Sequence, residues 1–153
     1  MKLKETGSMR AICIEHIGPY CEIGSVFEKL GQFAVEYSVP VKNSKWMGVY
    51  WDDPAEVAPE KLRSEACVTI DESTSVPDVD GVTVKTIDGG SFMMATHTGS
   101  YSSIGAAWQE LWTEFEKSGR KYRHGPCLEL YVKGAGSGLP EEEWVTDFYI
   151  PIV

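Results

Sequence analysis

In the run Cys127-Leu128-Glu129-Leu130-Tyr131, a carboxylate stands between two leucines and two residues before a tyrosine. An acid on an otherwise apolar strand either reaches solvent or a surface cation, or it serves as the polar centre of a binding site. Strand alternation puts Leu128, Leu130 and Val132 on one face, expected to be core, and Cys127, Glu129 and Tyr131 on the other. An acid beside aromatic rings attracts a cationic or aromatic molecule, since ring faces and a partly desolvated carboxylate both favour positive charge. His16 and His97 each stand two residues before a glycine, in H-x-G-x-Y, and that recurrence points to a hydrogen bond across a turn rather than to catalysis. Asp52-Asp53, followed by Pro54, reads as a turn after a strand and not as a metal site. The four cysteines, Cys13, Cys21, Cys67 and Cys127, form no CxxC pair, so spacing suggests free, mostly buried thiols, with no metal or cofactor expected. No GxGxxG, P-loop, HExxH or GxSxG pattern occurs.

The elements that must carry these residues come in two copies. Ile14–Leu30 reads IEHIGPYCEIGSVFEKL and Ala95–Leu111 reads ATHTGSYSSIGAAWQEL, so His16, Gly18 and Tyr20 match His97, Gly99 and Tyr101 at one offset of 81. The offset continues from Lys4 against Lys85 to Tyr50 against Tyr131 and Pro59-Glu60 against Pro140-Glu141. Residues 1–72 thus align with 82–153 without a gap, joined by a Ser-, Pro-, Asp- and Gly-bearing linker at 73–81.

Each copy reads as a short leading strand, a strand into the histidine turn, an amphipathic helix and two more strands. The helical stripes are Phe27, Leu30, Ala34 and Tyr37 in copy one, and Trp108, Leu111, Trp112 and Phe115 in copy two. The expected fold class is α+β, a tandem repeat of a strand–helix–strand–strand module with a mainly antiparallel sheet and two helices, the halves sharing a core. Divergence between the copies is informative: Glu129 falls where copy one has Gly48, which would leave room opposite the acid.

Composition narrows the function classes. The formal net charge of −9 argues against direct nucleic-acid contact, because phosphate neutralisation dominates that affinity. No apolar run approaches the length of a membrane span, and the first residues show no secretory pattern, so a cytoplasmic location is expected.

The chain resembles the GyrI-like small-molecule-binding domain, also found as the effector-binding half of AraC-type and multidrug-responsive regulators. The resemblance is carried by Val49–Thr69 (VYWDDPAEVAPEKLRSEACVT), with His16–Tyr20 and Cys127–Tyr131, and it extends over the whole chain. It implies two modules around a cleft with Glu129 as the central polar group. Ligand-binding candidates are then Glu129 with Trp51, Trp112, Tyr131, Trp144 and Phe148, and Tyr20 and Tyr101 at the rim. The expected function is capture of a hydrophobic, aromatic or cationic small molecule. The resemblance also implies two alternatives. One is hydrolysis of cyclopropane-bearing toxins, with Glu129 as the catalytic residue activating water. The other is a gyrase-inhibitor-like role with gyrase or a regulator as protein partner.

Overall fold

Strand β2 (Met9–Ile17) buries Ala11, Ile12 and Cys13 in succession, which requires cover on both faces of the sheet it joins. In the computed structural model, which describes residues 1–153, its hydrogen-bonded partners are β4 (Arg63–Thr69) on one side and β5 (Thr83–Ile87) on the other. Strand β3 (Trp46–Tyr50) completes the order β3-β4-β2-β5, every pair antiparallel, within a unit formed by Gly7–Gly89. Helix α1 (Gly24–Glu36) covers one face, where Val26, Leu30, Phe33 and Ala34 meet Ile12, Ala66 and Val68. The buried stripe is turned from the expected one: Tyr37 is exposed and Phe27 only flanks the core.

The second unit comprises Met1–Thr6 and Gly90–Val153. Its strands run β1 (Lys2–Thr6), β6 (Gly90–Thr98), β8 (Val145–Pro151) and β7 (Cys127–Lys133), again all antiparallel. Helix α2 (Ile104–Ser118) lays Leu111 and Phe115 onto Met93, Phe148 and Ile150. It ends at Gly119, whose φ of 69° is the left-handed cap that a glycine adopts without steric cost.

Corresponding elements keep the sequence offset. Lys2 and Thr83 open the leading strands, Met9 and Gly90 the next pair, and Trp46 and Cys127 the third, each 81 apart. The compact units nevertheless differ from the sequence copies by one strand. β1 pairs with β6 rather than β2, and β5 pairs with β2, so each unit contains the leading strand of the other copy.

The histidine turns are built alike. Gly18 (φ 142°) and Gly99 (φ 135°) take backbone conformations that a side chain would strain. His16 Nε2 lies 3.0 Å from the Pro19 carbonyl oxygen, and His97 Nε2 lies 3.3 Å from that of Ser100. Both rings fold back over their turns, followed by single 3-10 turns at Tyr20–Glu22 and Tyr101–Ser103. No helix is long and apolar enough to cross a membrane.

Candidate functional site

Glu129 is central to β7 and only 6% exposed. Its ladder partner on β8 is Phe148, so the two side chains stand beside each other on one face. That face is the one α2 covers: Cys127, Phe148 and Ile150 belong to the cluster under the helix. The expectation that Leu128, Leu130 and Val132 mark the core face is therefore corrected. Leu128 is buried, but Leu130 is half-buried and Val132 is 50% exposed, while the acid points under the helix.

Trp108 and Tyr131 both donate to the carboxylate. The Trp108 indole N–H donates to Oε1 at 2.6 Å, and the Tyr131 hydroxyl donates to Oε2 at 2.8 Å. In both bonds the carboxylate is the acceptor. Trp108 lies one turn into α2, where Leu111 and Phe115 pin the same helix face to the sheet. Its ring stacks on Phe148 at 4.6 Å and 17°, and His97 stacks on Phe148 at 6.0 Å and 12°.

Aromatic rings continue beyond Tyr131. Tyr101 lies 5.7 Å from the Tyr131 ring and 4.6 Å from Trp144. Its hydroxyl accepts the Ala135 amide at 3.2 Å, and Trp144 donates its indole N–H to the Leu139 carbonyl at 3.0 Å. A Cβ at Gly134 would run into the Tyr101 hydroxyl, so a side chain there would have to displace that end of the ring. Burial pushes the Tyr101 phenol above its ordinary value; the Ala135 amide opposes this, and the nearby Glu129 charge reinforces it.

Of the residues singled out from sequence, Glu129, Tyr131, Phe148, Tyr101 and Trp144 form this connected group. Trp112 lies on the same helix but packs edge-on against Phe115 at 5.4 Å and faces Tyr122. Tyr20 and Trp51 belong to the Gly7–Gly89 unit and have partners there. The Tyr20 hydroxyl donates to the Asp52 carbonyl at 2.7 Å and accepts the Asp52 amide at 2.9 Å. Trp51 donates to Glu65 at 2.8 Å. Asp52 in turn grips Arg63 through two side-chain hydrogen bonds, at 3.0 and 2.8 Å, which hold its carboxyl below the ordinary value. The space at Gly48 is taken by its own strand: a Cβ there would lie 2.5 Å from the Tyr50 hydroxyl.

Trp108 is the functional candidate that sequence reasoning assigns to the core stripe. Helical spacing identifies its buried face, but only the tertiary structure shows where its N–H points.

The fold places the chain among α+β domains in which helices cover antiparallel sheets. It belongs to the GyrI-like small-molecule-binding domain family, whose model matches residues 1–153. It is similar to DNA gyrase inhibitor 2 of Dickeya dadantii, with 31% identity over 133 residues, 86% of this chain and 83% of that protein. It is 36% identical to the probable transcriptional regulator YgiV of Escherichia coli over 115 residues, 74% of this chain and 70% of YgiV. Among solved structures, the EcmrR C-terminal domain superposes with a TM-score of 0.85 at 18% identity, over 99% of this chain and 96% of that one. SAV2435 bound to tetraphenylphosphonium superposes with a TM-score of 0.68 at 16% identity, over 99% and 93%.

Proposed function

We propose that this protein captures hydrophobic, aromatic and cationic small molecules at Glu129. One observation carries the reading: a carboxylate 6% exposed whose oxygens accept hydrogen bonds from Trp108 and Tyr131 beside stacked rings. Partial desolvation strengthens its attraction for a cation, and the faces of Trp108, Tyr131 and Tyr101 add area and cation–π attraction. Membership of a small-molecule-binding family supports this, as does a structural neighbour that binds the cation tetraphenylphosphonium.

The test is titration with tetraphenylphosphonium, followed by thermal unfolding and by intrinsic tryptophan fluorescence. Saturable stabilisation in the wild type, weakened by on the order of tenfold or more in Glu129→Gln, is the expected result, because a charge-assisted contact is lost. Equal affinity in the two proteins would remove the counter-ion role. Cyclopropane-bearing compounds belong in the same experiment. Their recovery unchanged after saturable binding is the outcome expected of capture, whereas a product heavier by one water that depends on Glu129 would replace capture with hydrolysis.

A second reading has its own support in the relative named DNA gyrase inhibitor. There the chain meets gyrase as a protein partner, and purified protein should reduce supercoiling without added drug. Unchanged supercoiling at saturating protein would dismiss that partner.

A further inference from the structure

On the sheet face of the Gly7–Gly89 unit opposite α1, three groups with metal-binding chemistry converge, although they are far apart in sequence. Cys13 on β2 and Cys67 on β4 are direct partners in the antiparallel ladder, and both are essentially inaccessible to solvent. Their sulfurs are 2.7 Å apart, closer than two unbonded sulfurs normally rest. Glu65, two residues before Cys67, points the same way and is 7% exposed. One donor atom from each of the three lies within 4.8 Å of the other two. We infer that Cys13, Cys67 and Glu65 form a binding site for a soft divalent cation of the Zn(II) and Cd(II) class.

The span and the ligand types fit such an ion. A tetrahedral zinc–thiolate bond of ~2.3 Å separates two sulfurs by about 3.8 Å, so the pair opens by about 1 Å through rotation about its Cα–Cβ bonds. Two thiolates and a carboxylate supply three ligands, and water takes the fourth position. Thiolate donors select zinc-like ions over magnesium or calcium.

Both hydrogen bonds that orient Glu65 fall on Oε1. Glu65 accepts from Lys85 at 2.5 Å and from the Trp51 indole N–H at 2.8 Å. With both thiols protonated, the carboxylate and the ammonium cancel and the buried cluster is neutral. When a divalent ion enters, the two thiol protons leave to solvent. Two thiolates, one carboxylate, one ammonium and the ion again sum to zero. Entry follows the Glu65 edge, where the Lys85 side chain is 33% exposed and Trp51 41% exposed.

The experiment is titration of the reduced, metal-free full chain with Cd(II) alone, read by thiolate-to-cadmium charge-transfer absorption. The band should saturate at one ion per chain, survive Cys21→Ser and Cys127→Ser, and vanish in Cys13→Ser and Cys67→Ser. Zn(II) should compete it away. Glu65→Gln should keep the band and weaken binding by on the order of tenfold or more, since even an outer partner of a metal site is worth that much. Because a buried Cys→Ser change can itself unfold the chain, the wild type supplies a second readout. Cadmium should slow alkylation of Cys13 and Cys67 in mild denaturant, with peptide mass mapping to identify the protected sites. No band, a band lost with Cys21 or Cys127, or unprotected Cys13 and Cys67 would overturn the site. So would a native chain lighter by two hydrogens with Cys13 joined to Cys67, which would make the pair a disulfide.

Discussion

The Trp108 indole N–H meets Glu129 Oε1 at 2.6 Å, linking the first turns of α2 to the middle of β7. One contact therefore orients the acid and ties the helix to the sheet. Phe148 lies beneath both, as the ladder partner of Glu129 and the stacking partner of Trp108.

Trp108→Phe should keep most of the stack and remove the donor. A buried carboxylate oxygen that loses its partner costs about 1–3 kcal/mol. Urea denaturation should show that loss, with tetraphenylphosphonium binding altered in the same variant. A midpoint unchanged from wild type would mean that the bond contributes nothing.

Tyr101 offers a spectroscopic report on the acid. Its phenol is held above the ordinary value of 10.0 by burial first and by the Glu129 charge in addition. A raised phenol pKa contributes stability that is complete below the unfolded value and is lost as pH rises through the folded one. Ultraviolet titration should therefore show late tyrosinate components, of which Tyr101→Phe removes one and leaves that of Tyr149, also raised by burial. Glu129→Gln should move the Tyr101 component toward lower pH, and an unmoved component would deny the coupling.

Gly48→Ala tests packing in the other unit. The new methyl would sit 2.5 Å from the Tyr50 hydroxyl and 2.8 Å from its ring, and must displace that side chain. Overpacking of this kind costs about 1–3 kcal/mol. Chemical denaturation measures it, and Gly48→Ala with Tyr50→Ala should recover part of the loss attributable to the clash. Wild-type stability in the single variant would show that Tyr50 moves freely.

Asp52 gives a pH dependence of opposite sign to that of Tyr101. Hydrogen bonds from Arg63 hold its carboxyl below 3.8, so the pair stabilises the fold above that value and the contribution is lost as pH falls through the folded pKa. Asp52→Asn should flatten the acid limb of a stability–pH profile while retaining a neutral side chain. The effect should be small, because Arg63 is largely exposed. An acid limb identical to wild type would assign the loss to other carboxylates.

Much of the scaffold is legible from local pattern. Alternation and helical spacing locate the strands and helices to within a few residues, since those periods follow from backbone geometry alone. Glycine at 119 ends α2 where its left-handed φ requires, and the two H-x-G-x-Y segments become two equivalent turns. Glu129 also stands out unaided, because an acid between leucines conflicts with the strand around it.

The tertiary structure decided what that conflict means. Alternation divides β7 into two faces but cannot tell which one a helix covers when apolar residues lie on both, so the leucines misled and the acid proved to be under α2. Pairing between distant strands is equally non-local. It exchanges the leading strands between the sequence copies and brings Cys13 to Cys67 across 54 positions. Sequence spacing determined that this chain carries an acid at Glu129 where the other copy has Gly48, and scattered thiols. Register and helix placement decided that the acid is held by Trp108 and Tyr131, and that two of the thiols meet a carboxylate, because such contacts depend on three-dimensional pairing that no local period encodes.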